Sequence, residues 1–398
     1  MTLSVAPRAL RFPPSPIRKL WPLSEEARSR GVHVYHLNIG QPDLETPAPF
    51  LEVLRHFDRP NVAYSPSQGE KVYLEALLDY YRRLGHELRP EQIQVTIGGS
   101  EAVLFAFLAV ASAGEQILIP EPFYTNYLTL SMIAGLEVAP VTTRAADNFQ
   151  LPPAAELAKC LTPRTRAILV CNPSNPTGTI LSPVEMQELA ELARERDLFL
   201  ICDEVYREFV YDGAHVQSAL SLEGIEDRVI VVDSISKRYS ACGARIGCMV
   251  SRNAQVMDCA LRLAQARLSA PTLGQLAAAA MKDMGLHYFQ TTVEEYRKRR
   301  NIVHEELSSI PGVLTHLPAG AFYTMAKLPV ADAEDFARWL LTDFSYNGHT
   351  VMFAPAGGFY ATPGLGADEI RIAYVLKEAD LRGAMTCLRR GLEQYRAR

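Results

Sequence analysis

Lys237 stands in the run Ser234-Ile235-Ser236-Lys237-Arg238-Tyr239-Ser240-Ala241-Cys242-Gly243-Ala244-Arg245, a lysine set among hydroxyls with an arginine shortly after it. A lysine amine condenses with a carbonyl only when a useful fraction is unprotonated, and nearby cations or desolvation lower its pKa to that end. The Ser234 hydroxyl and the Arg245 guanidinium suit a phosphate, because arginine offers a planar, permanently charged fork to phosphate oxygens. Together these residues could hold a phosphorylated aldehyde covalently. A lysine taken alone is usually a solvated surface residue, so other segments must decide.

Five segments bear on the question. Gly98-Gly99-Ser100-Glu101-Ala102 follows an apolar run and opens a helical pattern, where small residues and free amides attract phosphate, although a Gly-Gly turn is common and the dinucleotide spacing G-x-G-x-x-G is absent. Cys171-Asn172-Pro173-Ser174-Asn175-Pro176-Thr177-Gly178 has two X-Pro bonds, which make a rigid turn or fix the direction of the Asn175 amide, a cis bond at Pro176 being one way to do so. Asp203 ends a buried run, which is costly for a carboxylate unless a cation or donors meet it. Were the ligand a pyridine, Asp203 would keep the ring nitrogen protonated and Tyr206 could donate to a ring oxygen. Arg371, in Glu369-Ile370-Arg371-Ile372, alternates with apolar neighbours and can clamp a carboxylate bidentately, though an exposed strand arginine is the commoner case. Tyr124 could be core packing or a flat surface over a ring.

The elements that must position these residues read as α/β. From about Gln92 to Val250, apolar runs at Ile93–Ile97, Gln116–Ile119, Ala167–Cys171, Leu198–Cys202, Val229–Val232 and Gly247–Val250 alternate with helical patterns. This is the signature of a mostly parallel sheet, taken as seven-stranded and covered by helices, with ligands at the carboxyl ends of its strands. Ser182 with Pro183 marks one helix start. Beyond about Asn253, long helices (Ala254–Leu268, Leu273–Met284, Tyr288–Ser308), strands at Ala321–Leu328 and Glu369–Val375, and helices at Ala333–Asp343 and from Glu378 form a smaller α+β unit. The expected division is 1–50 as N-terminal arm and part of the small domain, 51–285 as the large domain, and 286–398 as the C-terminal small domain. The Pro-rich arm has no βαβ pattern and either joins the small unit or wraps a partner.

Composition bounds the function. The 398 residues carry 40 basic and 45 acidic side chains, a formal charge of −5, so no global field favours nucleic acid or an anionic membrane. Seven cysteines without C-x-x-C spacing read as reduced core residues, and nine histidines without an i,i+4 pair give no metal site. No segment has transmembrane length or the form of a cleaved leader, which makes the cytoplasm the expected compartment.

In this order the segments, from Leu37-Asn38-Ile39-Gly40-Gln41-Pro42-Asp43 to Arg371, resemble the class I/II aminotransferases of the fold-type-I pyridoxal-5′-phosphate enzymes. The resemblance implies a Schiff base at Lys237, Asp203 against the pyridinium nitrogen, and Asn175 and Tyr206 at the ring oxygen. Tyr124 would stack on the ring, while Gly99, Ser100, Glu101, Ser234 and Arg245 would hold the phosphate. Arg371 would bind the α-carboxylate, with Gly40 and Asn175 beside it. Tyr64 would reach the phosphate of a neighbouring subunit, which implies a homodimer with shared sites. The implied activity moves the amino group of an L-amino acid to a 2-oxo acid through a pyridoxamine form. A lyase or carbon–carbon bond-forming enzyme on the same site is the alternative, and a non-catalytic regulatory module the more distant one. Two positions depart from the pattern. Ala244 stands where many relatives have a large residue, and Ser100 stands where some aspartate-using relatives place a lysine, so a dicarboxylate would need another partner.

Overall fold

The computed structural model describes residues 3–7 and 9–398, except for the side chain of Leu286. Residues 1, 2 and 8, which fall within the arm read from the sequence, lie outside the described residues.

Seven strands form the main sheet: Ile93–Thr96 (β1), Gln116–Glu121 (β2), Glu137–Thr142 (β3), Thr165–Cys171 (β4), Phe199–Asp203 (β5), Val229–Ser234 (β6) and Gly247–Ser251 (β7). Their spatial order is β1-β7-β6-β5-β4-β2-β3, and only β7 runs against its neighbours. Alternate residues feed two different cores, Val229 and Val231 on one face and Ile230 and Val232 on the other. Burial on both faces accounts for the continuous apolar runs of β4, β5 and β6. Helices Lys71–Arg83 and Pro183–Glu195 cover the first face, and Gly98–Val110 and Ala254–Ala266 the second.

Two of these elements go beyond those read from the sequence. Strand β3 is an edge strand, half exposed and interrupted by Pro140, so it lacks the apolar run that marks the inner strands. Helix Lys71–Arg83 buries three tyrosines, Tyr73, Tyr80 and Tyr81, beside Leu74, Ala76 and Leu77, so half of its buried face is aromatic with polar hydroxyls. The helix expected over Leu273–Met284 spans Thr272–Ala279. The start at Ser182 is a reciprocal cap: Ser182 Oγ accepts from Glu185 N at 3.2 Å, and Glu185 accepts from Ser182 N at 2.7 Å.

A further core joins the two ends of the chain, from Leu20 to Leu37 and from Tyr296 to Leu392, with Val205 to Tyr211 packed into it. Strand His33–His36 pairs in parallel with His349–Met352. Tyr323–Lys327 pairs antiparallel with Glu369–Ala373, which sets Met325 opposite Arg371. All seven cysteines are free, and among the described residues no helix is long and apolar enough to cross a membrane.

Candidate active site

Strands β4, β5 and β6 end side by side, and the residues that follow them face one cavity of about 170 Å³. The tight segment after β4 has cis bonds at both Asn172–Pro173 and Asn175–Pro176, the second as the sequence suggested. Ser234 ends β6 and caps the one-turn helix Ile235–Arg238, its Oγ accepting from Ser236 N at 3.1 Å. Lys237 lies on that turn and is thereby aimed into the cavity.

Lys237 Nζ donates to Gly40 O at 2.8 Å and lies 3.6 Å from Cys242 Sγ. Burial pulls its pKa down, yet Tyr323, Cys242 and Tyr124 around it outweigh burial and hold it above the ordinary lysine value. This corrects the expectation of a lowered pKa: in the surroundings built by the chain alone the group is an ammonium. Gly40 is obligatory here, since a Cβ would fall 1.8 Å from the Tyr323 hydroxyl.

Asp203 is buried, and burial raises its pKa to about 6 against the opposing hydrogen bonds of Tyr127 and Val205. Tyr127 Oη donates to Oδ2 at 2.6 Å and Val205 N to Oδ1 at 3.2 Å. Both donors are neutral, so the carboxylate lacks a cation. Arg371 shows the opposite deficiency. It is 1 % exposed, its Nη1 donates to Asn175 Oδ1 at 3.0 Å and its Nη2 to Asn38 O at 2.6 Å, and its Nε has no partner. The rings of Tyr323 and Phe359 flank the guanidinium at 4.5 and 4.9 Å. A buried acid without a cation and a buried cation without an anion, lining one cavity, are arranged for a ligand that carries both charges.

The Tyr206 hydroxyl is 2.9 Å from that of Tyr323 and receives Asn175 Nδ2 at 3.5 Å, which links the ring-facing residues to Arg371. Tyr124 stands edge-on to Tyr127 and takes a hydrogen bond from Asn126 at 2.9 Å. At the other end, Gly99 and Ser100 in the first turn of Gly98–Val110 meet Ser234 and Arg245. A Cβ on Gly98, which has φ +71°, would lie 2.5 Å from Arg245 Nη2, so the glycine lets the guanidinium close on the helix N-terminus. Free amides, hydroxyls and an arginine suit a phosphate. These features fit pyridoxal 5′-phosphate: a cradle for its phosphate, a carboxylate in need of a cation for its ring nitrogen, and a lysine for its aldehyde.

Two expected residues stand apart. Glu101 is absent from the lining; its carboxylate accepts from Ile97 N at 2.8 Å and pairs with Arg267 at 3.1 Å, and an anion turned towards phosphate would be repelled. Tyr64 is 79 % exposed and outside the cavity. The lining also includes residues that sequence reasoning missed: Ile17, Arg18, Tyr127, Cys242 and Tyr323. Tyr127 carried a signal, one helical turn after Tyr124; Arg18 and Tyr323 carried none, because only tertiary folding brings them in.

Residues 32–386 match the family model described as aminotransferase class I and II. The chain is 30% identical over 389 residues to an aromatic-amino-acid aminotransferase of Thermococcus litoralis, covering 96% of each. It is 31% identical over 372 residues to an arginine–pyruvate transaminase of Pseudomonas aeruginosa, covering 92% of each. An aspartate aminotransferase of Thermus thermophilus solved with maleate superposes with a TM-score of 0.88 at 27% identity, over 98% of this chain and 100% of that one. The family match over most of its length means that this chain belongs to the class I and II aminotransferases, pyridoxal-5′-phosphate-dependent transaminases.

Proposed function

We propose that Lys237 is the residue to which the cofactor attaches and the base that works at the substrate's α-carbon, with Arg371 holding the α-carboxylate and Asp203 the ring nitrogen. The observation that carries this reading is the pairing of opposite deficiencies: a buried Asp203 without a cation and a buried Arg371 with a free Nε, both lining the cavity that Lys237 enters. When bound, pyridoxal 5′-phosphate supplies an aldehyde that bonds to an amine and a protonated ring that draws off the electron pair left at the α-carbon.

The chain's own residues do the rest. Arg371, braced by Asn175 and Asn38, fixes the carboxylate and so directs the Cα–H bond towards Lys237. Gly40 O keeps Nζ at that station. With the cofactor bound, Lys237 would act as the neutral amine, the form able to take the α-proton and later return it, against the high pKa that the chain's own groups set. Asp203 holds a proton on the ring nitrogen, aided by Tyr127. Tyr206 and Asn175 present hydrogen-bonding groups to the ring oxygen, and Tyr124 offers its face to the ring. Ser100, Gly99, Ser234 and Arg245 bind the phosphate. Glu101 contributes at most its backbone amide.

The substrates of the whole reaction are an amino acid and a 2-oxo acid. In keeping with the free thiols we place the protein in the cytoplasm. The shared core of the chain's two ends supports reading 51–285 as the large domain and 1–50 with 286–398 as the small one. Exposed Tyr64, with Val62 and Val72 at 60 and 48 % exposure close by in the chain, supports a homodimer in which Tyr64 serves the neighbouring site.

Borohydride treatment of protein incubated with pyridoxal 5′-phosphate, followed by peptide mass spectrometry, tests the assignment. The label is expected on Lys237, and Lys237→Ala is expected to lose turnover by several orders of magnitude while still retaining the cofactor's phosphate. A label elsewhere, or transamination at the wild-type rate by the variant, overturns it.

A further inference from the structure

The cavity lining holds four cationic side chains, Arg18, Lys237, Arg245 and Arg371, against one carboxylate, Asp203. The reading above gives three of the cations a task, at the aldehyde, the phosphate and the α-carboxylate. Arg18 has none. It is exposed, and among the described residues no carboxylate pairs with it, whereas its neighbour Lys19 is paired with Glu334.

The backbone that carries Arg18 is nevertheless held in place, because the arm around it is pinned on both sides. Pro16 packs on Gly358 so closely that a Cβ there would lie 2.6 Å away. Asn38 Nδ2 donates to Ile17 O at 2.7 Å, and Asn38 O is the acceptor for Arg371 Nη2, so a single residue ties the arm to the buried arginine. The backbone of Arg18 closes a turn on Ser15 O at 3.0 Å, and Leu20 is buried at 1 % exposure. Ile17 and Arg18 therefore line the cavity on a fixed backbone, which carries the Arg18 guanidinium at its solvent side.

We propose that Arg18 is a specificity-determining residue that receives a second carboxylate of the substrate, so that the amino acid and 2-oxo acid preferred by this enzyme are dicarboxylic. The inference rests on Arg371 taking the α-carboxylate. The anion that extends beyond it meets Arg18, which lies at the solvent side and forms a charge-assisted contact there. Its exposure puts the effect at the lower end for such contacts and makes it sensitive to salt.

The test compares holoenzyme with Arg18→Gln and Arg18→Lys. Values of kcat/KM are measured for glutamate with 2-oxoglutarate and for alanine with pyruvate, and the Kd of unreactive succinate is measured by calorimetry. Arg18→Gln is expected to lower the dicarboxylic-to-monocarboxylic ratio of kcat/KM about tenfold and to raise the succinate Kd by a similar factor. Arg18→Lys is expected to restore part of both, and added salt to shrink the difference. A ratio and a succinate Kd that stay within about twofold in Arg18→Gln overturn the inference. The outcome is separable from the wider reading. Transfer from any donor sustains transamination whatever Arg18 does, and an Arg18-dependent succinate Kd sustains the subsite even in an enzyme that transfers nothing.

Discussion

Asp203 illustrates how one residue serves function at a cost to the fold. Its buried carboxyl titrates near 6 where an unperturbed one titrates at 3.8, so the folded apoprotein holds the proton more tightly than the unfolded chain. The contribution of Asp203 to stability then falls as pH rises from about 4 to 6, by on the order of 3 kcal/mol in all, and stays reduced above that window. Asp203→Asn should make the apoprotein more resistant to urea at about pH 8, with the advantage gone near pH 4; equal midpoints of variant and wild type at pH 8 would contradict the argument. Residues of this kind were legible in the sequence when they stood next to a strand end or a proline, as Asp203, Asn175 and Lys237 do. Tyr127, Tyr323 and Arg18 were not. Tyr323 acts through a hydroxyl 117 positions from Tyr206, and Arg18 through an arm whose anchors, Asn38, Glu334 and Gly358, lie elsewhere in the chain.

Among the elements, those with buried faces or a clear stripe could be read ahead of the structure, the fully buried edge strand β1 included, and the half-exposed edge strand β3 could not. The inner strands announce themselves because both faces need apolar residues, while β3 hides behind Pro140 and partial exposure. Helix Pro183–Glu195 was legible from its first residues, where Ser182 and Glu185 satisfy each other's amides. Ser182→Ala should remove about 1 kcal/mol of stability, seen as a lower urea midpoint, and leave kcat/KM of the folded enzyme unaltered, since the cap lies outside the cavity lining. A loss of activity with an unchanged midpoint would mean that this helix does more than support the sheet.

For the molecule as a whole, the proposed dimer makes a sharper prediction than mass alone. A Lys237→Ala protomer and a Tyr64→Phe protomer each damage a different part of a site to which both subunits contribute. Mixed dimers would carry one site with both lesions and one with neither. Co-refolding the two variants in equal amounts and isolating the mixed dimer should therefore give about half the wild-type activity, or about a quarter in the unseparated mixture, where half the dimers are mixed; no recovery would argue for sites contained within single chains.

The parallel pairing of His33–His36 with His349–Met352 ties strands from opposite ends of the polypeptide, and it sets an order of events at the ribosome. The first strand emerges early and must wait, unpaired, while hundreds of residues are translated, on the order of tens of seconds at about 5–20 residues per second. During that interval the sheet behind it can already condense. Arg371, the last of the lining residues to emerge, completes the pocket only then, so a chain terminated before it would carry the cofactor lysine and still be unable to grip an amino acid.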